Sequence, residues 1–162
     1  MYGSKIIKAL LSVILVGIIM TGCGSDESIE TSATKLTGED YILSLVNCDD
    51  AYISRGFGDY KGHTGVDIAA PEGVEIYAAD SGTVHKTVTM NMGYGYHIII
   101  DHGDYQTLYA HCSSFADIEA GDTVEKGDVV AYVGNTGNST GAHLHFEVIT
   151  ADGQQNPIKW YK

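Results

Sequence analysis

The stretch "GNSTGAHLHFEV" (residues 137–148) ends in the alternating pattern of a half-buried β-strand, which contains two histidines two residues apart. Side chains at i and i+2 of a strand point to the same face of the sheet, and those between them point to the other face. A strand here would direct His143 and His145 to one face and place Leu144 and Phe146 in the core. The pair is either two half-exposed strand residues or part of a functional site, and the rest of the sequence has to distinguish these alternatives.

The rest of the chain has the composition of a β-protein. Its 162 residues suffice for one domain with a core, and they include 20 glycines, 11 tyrosines and only two prolines. Short strand-like runs alternate with glycine turns: "TGVDIAA", "GTVHKTVTM", "YHIIIDHG", "YQTLYAH", "DVVAYVG" and "HLHFEVI". We therefore expect an all-β, antiparallel domain over residues 49–162. Helix is limited to a short segment within 38–47.

The charge distribution argues against a nucleic-acid partner. The chain has 21 acidic and nine basic residues, and Lys5 and Lys8 precede the first acid. From Cys23 onward, seven basic residues stand against 21 acidic ones. Binding to phosphates requires the opposite sign, so no nucleic acid is expected to bind.

The N-terminal segment has the features of a lipoprotein signal peptide. A short basic start is followed by "ALLSVILVGIIM", twelve uncharged residues, which is too short for a permanent transmembrane helix. The segment ends in "MTGC", which resembles the bacterial lipoprotein cleavage motif. That resemblance implies a signal peptide over 1–22, lipidation of Cys23, and anchoring to the outer face of the cytoplasmic membrane, facing the cell wall. The polar residues that follow predict a flexible tether over 23–48.

Two further cysteines, Cys48 and Cys112, leave two alternatives open. The first is a disulfide between them, as is common in exported proteins. The second is two separate thiols that pack as small hydrophobic groups.

Further histidines accompany the first pair. "GHTGVD" places His63 and Asp67 four residues apart, and an even spacing keeps both on one face of an extended segment. "YQTLYAH" places Thr107, Tyr109 and His111 in one register.

These groups have the chemistry of a metal site. A catalytic Zn²⁺ is typically held by three nitrogen or carboxylate ligands with one position left open, which makes bound water more acidic. Five candidate groups are present: His63, Asp67, His111, His143 and His145. Each alone is more often structural, but their joint presence in one small β-domain favours a metal centre.

The sequence resembles the lysostaphin-type zinc peptidoglycan endopeptidases. The matching stretches lie within residues 53–149, in the family's order: "GHTGVDIAAPEGVEIYAADSGTV", "GYGYHIIIDHG", "TLYAHC" and "AGDTVEKGDVVAYVGNTGNSTGAHLHFEV". The resemblance implies an antiparallel fold of the duplicated hybrid motif type, with an active-site groove on the sheet. It also implies hydrolysis of peptide bonds in peptidoglycan stems or cross-bridges.

The resemblance also assigns roles. His63, Asp67 and His145 correspond to the ligands of one Zn²⁺ per chain, and His111 and His143 correspond to catalytic residues beside the metal. Tyr60 is either an additional oxyanion donor, as in some relatives, or a surface loop residue.

The remaining features are expected to be structural or to set specificity. His102 resembles a structural turn residue, His85 and His97 are expected to be exposed strand residues, and residues 120–134 are expected to form a structural hairpin. The loop over 87–96 is expected to determine which bond is cut.

Two alternatives to the wall endopeptidase remain. The first is a non-catalytic wall-binding or regulatory module that uses the same groove. The second is a peptidase that acts on exported proteins. The intact set of five groups favours the wall endopeptidase.

Overall fold

The computed structural model describes residues 37–161. The predicted signal peptide over 1–22, the predicted lipidation site Cys23 and the first part of the predicted tether lie outside the described residues. Within 37–161, no helix combines the length and the apolar character needed to cross a membrane.

Strands dominate the described chain, and only two short helices accompany them. The helices are α1 (Gly38–Leu43) and α2 (Pro157–Trp160). The strands are β1 (Tyr52–Arg55), β2 (Val66–Ala69), β3 (Glu75–Tyr77), β4 (Gly82–Val88), β5 (Tyr96–Asp101), β6 (Gln106–Cys112), β7 (Ser114–Phe115), β8 (Thr123–Val124), β9 (Val129–Tyr132), β10 (His143–Thr150) and β11 (Gly153–Gln155).

The strands form two antiparallel sheets. The large sheet has the order β1-β2-β10-β6-β5-β4-β8, and β11 pairs with the second half of β10. The small sheet has the order β3-β9-β7. This architecture confirms the expected all-β, antiparallel fold with little helix.

Strand β10 has the two faces that its sequence predicts. Leu144 and Phe146 are fully buried in the main core, on the face opposite to the histidines. His145 pairs with Asp67 of β2 on one side and with Ala110 of β6 on the other. The site face of β10 is therefore held between two neighbouring strands.

A β-bulge in β6 brings His111 to the site face. Thr107 and Tyr109 are fully buried on the core face, so the expected common register of these two residues with His111 is wrong. His97 of β5 is opposed by two residues of β6, Ala110 and His111, which is the definition of a bulge. His111 has a φ of 63°, and this left-handed backbone breaks the alternation that would have buried it.

The folded domain begins earlier than the predicted boundary at residue 49. Helix α1 confirms the short helix expected within 38–47, and Thr37 caps it by accepting a hydrogen bond from the backbone N–H of Asp40. Ile42, Leu45 and Val46 are buried in the main core. Residues from α1 onward therefore belong to the domain rather than to the tether, because they cover one end of its core.

The other histidines and the cysteines of the described chain differ in burial and in hydrogen bonding. His85 is exposed as expected, whereas His97 is buried, 5.6 Å from the Tyr94 ring between centroids, which corrects its expected exposure. Both ring nitrogens of His102 are hydrogen-bonded, to Ser81 O and to the Thr107 hydroxyl. Cys48 and Cys112 are both free thiols in this structure.

Candidate active site

Two neighbouring strands bring the metal-binding candidates together. The register of β2 against β10 sets Asp67 directly opposite His145. Their side chains meet, and His145 Nδ1 lies 2.6 Å from Asp67 Oδ1. Side chains at directly opposed positions of an antiparallel pair share one face, so this contact follows from the pairing of the two strands.

His63 reaches the same carboxylate from the loop before β2. Its Nε2 lies 3.0 Å from Asp67 Oδ1, and its Nδ1 lies 2.6 Å from the carbonyl oxygen of Gly56. The carbonyl can only accept, so Nδ1 carries a proton, and Nε2 is the ring nitrogen that faces the shared site. His63 is therefore prepared as a ligand through Nε2 and His145 through Nδ1.

A glycine allows this approach. An added Cβ at Gly65 would lie 2.4 Å from the carbonyl oxygen of Phe146 and 2.8 Å from Cε1 of His145. Since real Cβ atoms do not approach other atoms so closely, only glycine lets the loop before β2 pass over β10 at this point.

The donor set fits a divalent metal. One potential ligand atom from each of His63, Asp67 and His145 lies within 4.8 Å of the others, and all three side chains are buried. Two imidazoles and one carboxylate form a typical three-ligand set for a catalytic zinc site. The adjoining cavity leaves a side of the set open to a substrate.

The electrostatics of the site also favour a cation. Burial opposes ionisation of Asp67, yet hydrogen bonds from His145 and His63 lower its pKa to about 2. Burial also opposes protonation of His145, but Asp67 and Glu147 raise its pKa to about 9. Without a metal, the proton on His145 therefore offsets only one of the two negative charges on Asp67 and Glu147. A bound cation would take over that role, since a ligating histidine must be neutral.

His111 and His143 lie beside the three candidate ligands. Their ring centroids are 4.7 Å apart, and the His111 ring lies 5.9 Å from that of His145. Nδ1 of His143 lies 2.8 Å from the carbonyl oxygen of Gly141, and its Nε2 lies 3.9 Å from Asp67 Oδ1. Nδ1 of His111 lies 2.8 Å from the carbonyl oxygen of Thr136.

The loop between β9 and β10 therefore sets the tautomers of both histidines. Its carbonyls accept the Nδ1 protons and leave each Nε2 free for proton transfer. Burial lowers the pKa of His111 to about 4, so this imidazole is neutral and able to accept a proton at neutral pH.

All six residues predicted for the catalytic domain line one open cavity of about 590 Å³. Tyr60, the candidate oxyanion donor, is 51% exposed and stacks on the His63 ring at 4.8 Å between centroids. Arg55 also lines the cavity, with its guanidinium 5.5 Å from the centre of the Tyr60 ring. The predicted lipidation site, Cys23, lies outside the described residues.

Sequence reasoning missed three residues that support the site. Glu147 is fully buried, and its Oε1 lies 3.0 Å from His145 Nε2. Tyr94 and Thr64 donate hydrogen bonds to the same oxygen, at 2.7 and 2.5 Å. Glu147 had a detectable signal, because it follows His145 by two residues and therefore shares the face of the two histidines. Tyr94 and Thr64 lie in loops, where no periodicity indicates their direction.

Comparison with known proteins gives consistent matches over the strands that carry the site. Residues 61–157 match the model of Peptidase family M23. The DD-carboxypeptidase/endopeptidase Mpg of Neisseria meningitidis is 40% identical over 97 residues, which cover 59% of this chain and 22% of that protein. The uncharacterized lipoprotein YgeR of Escherichia coli is 39% identical over 100 residues, covering 61% of this chain and 39% of that protein. The chain thus spans about a fifth to two fifths of the length of these relatives.

The fold similarity extends to a solved structure. The antimicrobial peptidase lysostaphin from Staphylococcus simulans superposes with a TM-score of 0.63 and 29% sequence identity. The superposition covers 67% of this chain and 48% of the lysostaphin chain.

Proposed function

Because the chain belongs to peptidase family M23, we propose that it is a zinc-dependent endopeptidase that hydrolyses peptide bonds in the stems or cross-bridges of peptidoglycan. The observation that carries this proposal is the convergence of His63, Asp67 and His145 at the wall of an open cavity, with two further histidines beside them. A relative named as a DD-carboxypeptidase/endopeptidase supports the reaction type.

One Zn²⁺ per chain would be held by His63 through Nε2, by Asp67 through its carboxylate and by His145 through Nδ1. When bound, the ion would supply Lewis acidity, polarising the scissile carbonyl and lowering the pKa of a water molecule toward ~7. Both ligand histidines already have their other ring nitrogen hydrogen-bonded, which holds the rings in orientation.

His111 and His143 would carry out the proton transfers. A neutral imidazole with a free Nε2 can accept a proton from the attacking water and later donate it to the leaving amine. The other imidazole, protonated on both ring nitrogens, would donate its Nε2–H to the oxygen on which negative charge develops. The two rings are 4.7 Å apart between centroids, so both can reach one substrate bond.

Tyr60 is proposed as an additional donor to that oxygen. Its ring lines the cavity and stacks on the ligand His63, which places it beside the reacting bond rather than on a remote surface. The alternative, a surface loop residue, has support from its 51% exposure. Substitution by phenylalanine separates these roles, because only the hydroxyl is lost.

The bond that is cut is proposed to depend on the loop over 87–96. Met90 and Met92 of this loop are exposed, and Gly93 and Tyr94 line the cavity. The same loop therefore presents apolar side chains to solvent and reaches the edge of the site.

The protein is proposed to act at the outer face of the cytoplasmic membrane, anchored by a lipid on Cys23. The motif "MTGC" and the similarity to a protein named as a lipoprotein support this location. Replacing Cys23 by Ala is expected to release the protein from membranes or to leave it unprocessed. Normal cleavage with unchanged membrane association would contradict the anchor.

The deciding experiment measures zinc and peptidoglycan cleavage together. The purified protein is expected to contain one zinc per chain and to release peptide fragments, identified by mass spectrometry, from walls of defined cross-bridge chemistry. Chelation should abolish release and added zinc should restore it, whereas the His85→Ala variant, which lacks a histidine outside the cavity, should behave as the wild type.

Other outcomes point to the alternatives. Binding to walls without any fragment would indicate a wall-binding module. Cleavage of unfolded proteins without wall fragments would indicate a peptidase of exported proteins.

A further inference from the structure

Glu147 is the most deeply buried acidic residue near the site. It lies in the second half of β10, with none of its surface exposed, although isolated carboxylates are costly to bury. Its Oε1 takes three hydrogen bonds, from His145, Thr64 and Tyr94, whereas its Oε2 is buried without a hydrogen-bond partner in the described structure.

All three hydrogen-bond donors contact the same oxygen of Glu147, Oε1, which lies next to the imidazole of His145. Oε1 lies 3.0 Å from Nε2 of that ring, and the opposite ring nitrogen, Nδ1, faces Asp67 at 2.6 Å. Glu147 therefore stands on the far side of His145 from the convergence point of the three candidate ligands. It is too far behind the ring to be a ligand itself.

We propose that Glu147 is a positioning residue for the metal site, whose carboxylate accepts the Nε2–H of His145 and so aims the Nδ1 lone pair at the ion. The negative charge also strengthens Nδ1 as a donor, as carboxylates behind metal-bound histidines do. The inference rests on the proposed zinc site, which it deepens.

The hydroxyls of Thr64 and Tyr94 complete the support. Thr64 follows the ligand His63 by one residue, and Tyr94 belongs to the loop over 87–96. Because both donate to Oε1, they fix the carboxylate in the rotamer that faces His145. The hydrogen bonds around Glu147 thus connect the loops on two sides of the cavity to one metal ligand.

The test compares zinc affinity, measured by competition with a chromogenic chelator, in the full chain and in two variants. Glu147→Gln keeps an acceptor for Nε2–H and loses the charge, whereas Glu147→Leu loses both. Removal of such a supporting partner typically weakens metal binding by about 10–100-fold. We expect Glu147→Leu to show a loss of this size and Glu147→Gln to show a smaller one.

A matched control separates positioning from general stability. Thr107 is equally buried and hydrogen-bonded in the same sheet, but on the core face, so Thr107→Val should lower the melting temperature and leave zinc affinity unchanged. Each variant is checked for folding by circular dichroism. If Glu147→Leu does not fold, Glu147→Gln decides alone through its zinc affinity.

A folded Glu147→Gln or Glu147→Leu protein that binds zinc within about twofold of the wild type would overturn the inference and leave the proposed function intact. A wild-type chain that binds no zinc would contradict both. A second readout is the Nε2–H proton signal of His145 in the ¹⁵N-labelled, zinc-loaded protein. It should be protected from exchange in the wild type and lost in Glu147→Leu.

Discussion

His145 lies directly opposite Asp67 in the pairing of β10 with β2, and the two side chains are 2.6 Å apart at Nδ1 and Oδ1. The strands are separated by more than 70 residues of sequence, so the contact exists only in the folded sheet. Sheet register therefore controls the candidate metal site, because a one-residue slip would turn one of the two side chains to the core face.

Replacing Asp67 by Ala is expected to remove both zinc and activity. Asp67 Oδ1 is the point at which His63 and His145 meet, and its loss leaves two histidines without a charged partner. Zinc per chain, measured by atomic absorption, should fall from about one toward zero, as it should for His63→Ala and His145→Ala. Full zinc occupancy in the Asp67→Ala protein would refute the ligand assignment.

Replacing Gly65 by Ala is expected to damage the site through crowding. The new methyl group would meet the Phe146 carbonyl oxygen at 2.4 Å and the His145 ring at 2.8 Å, and a backbone atom cannot easily move. Overpacking of this kind typically lowers the free energy of unfolding by about 1–3 kcal/mol. Thermal unfolding and zinc content should both decrease.

The control for Gly65 is Gly141→Ala. A Cβ at Gly141 meets no atom within 4 Å, and its φ is not in the left-handed region. Its zinc content and melting temperature should therefore stay close to those of the wild type. Equal behaviour of the two variants would show that the close approach at Gly65 does not restrict the site.

The thiols are expected to differ in reactivity. Cys112 is fully buried, and burial raises its pKa to about 12, so almost no thiolate exists at neutral pH. Cys48 is half-buried. Alkylation of the native protein, mapped by mass spectrometry, should label Cys48 readily and Cys112 only after unfolding. Rapid labelling of Cys112 in the native state would contradict this, and a Cys48–Cys112 disulfide would block both.

The sequence predicted the fold wherever local periodicity was strong. In β10, alternation alone was enough to assign Leu144 and Phe146 to the core and the histidines to the other face, as the structure has them. The predicted start of the domain at residue 49 is too late, because Ile42, Leu45 and Val46 cover one end of the core. Their spacing at i, i+3 and i+4 is a local helical signal, but only tertiary packing shows that this segment belongs to the domain rather than to the tether.

For the site, the sequence indicated most of the residues that line the cavity but not the backbone geometry or the buried partners that position them. His111 lines the cavity with the other candidate residues, but the register argument for it failed, since a bulge with φ of 63° turns it away from Tyr109. Strain at one residue is set by the neighbouring strand and cannot be seen in a period of two. Glu147 was overlooked because an acidic residue in a strand is usually solvated, and only its partners show that it is not.

The last prediction separates ligands from catalysts. His111 and His143 lie beside the candidate ligands, and each has its Nδ1 held by a carbonyl of the loop before β10. Removing a positioned acid or base typically costs about 10²–10⁴-fold in rate, without emptying a metal site. His111→Ala and His143→Ala should therefore keep near-normal zinc while turnover of a wall peptide falls by about that order. The double variant should be less impaired than the product of the two single effects, because both residues act on one transition state. If His143→Ala loses its zinc while His145→Ala retains it, the roles of the two histidines in "HLH" are reversed.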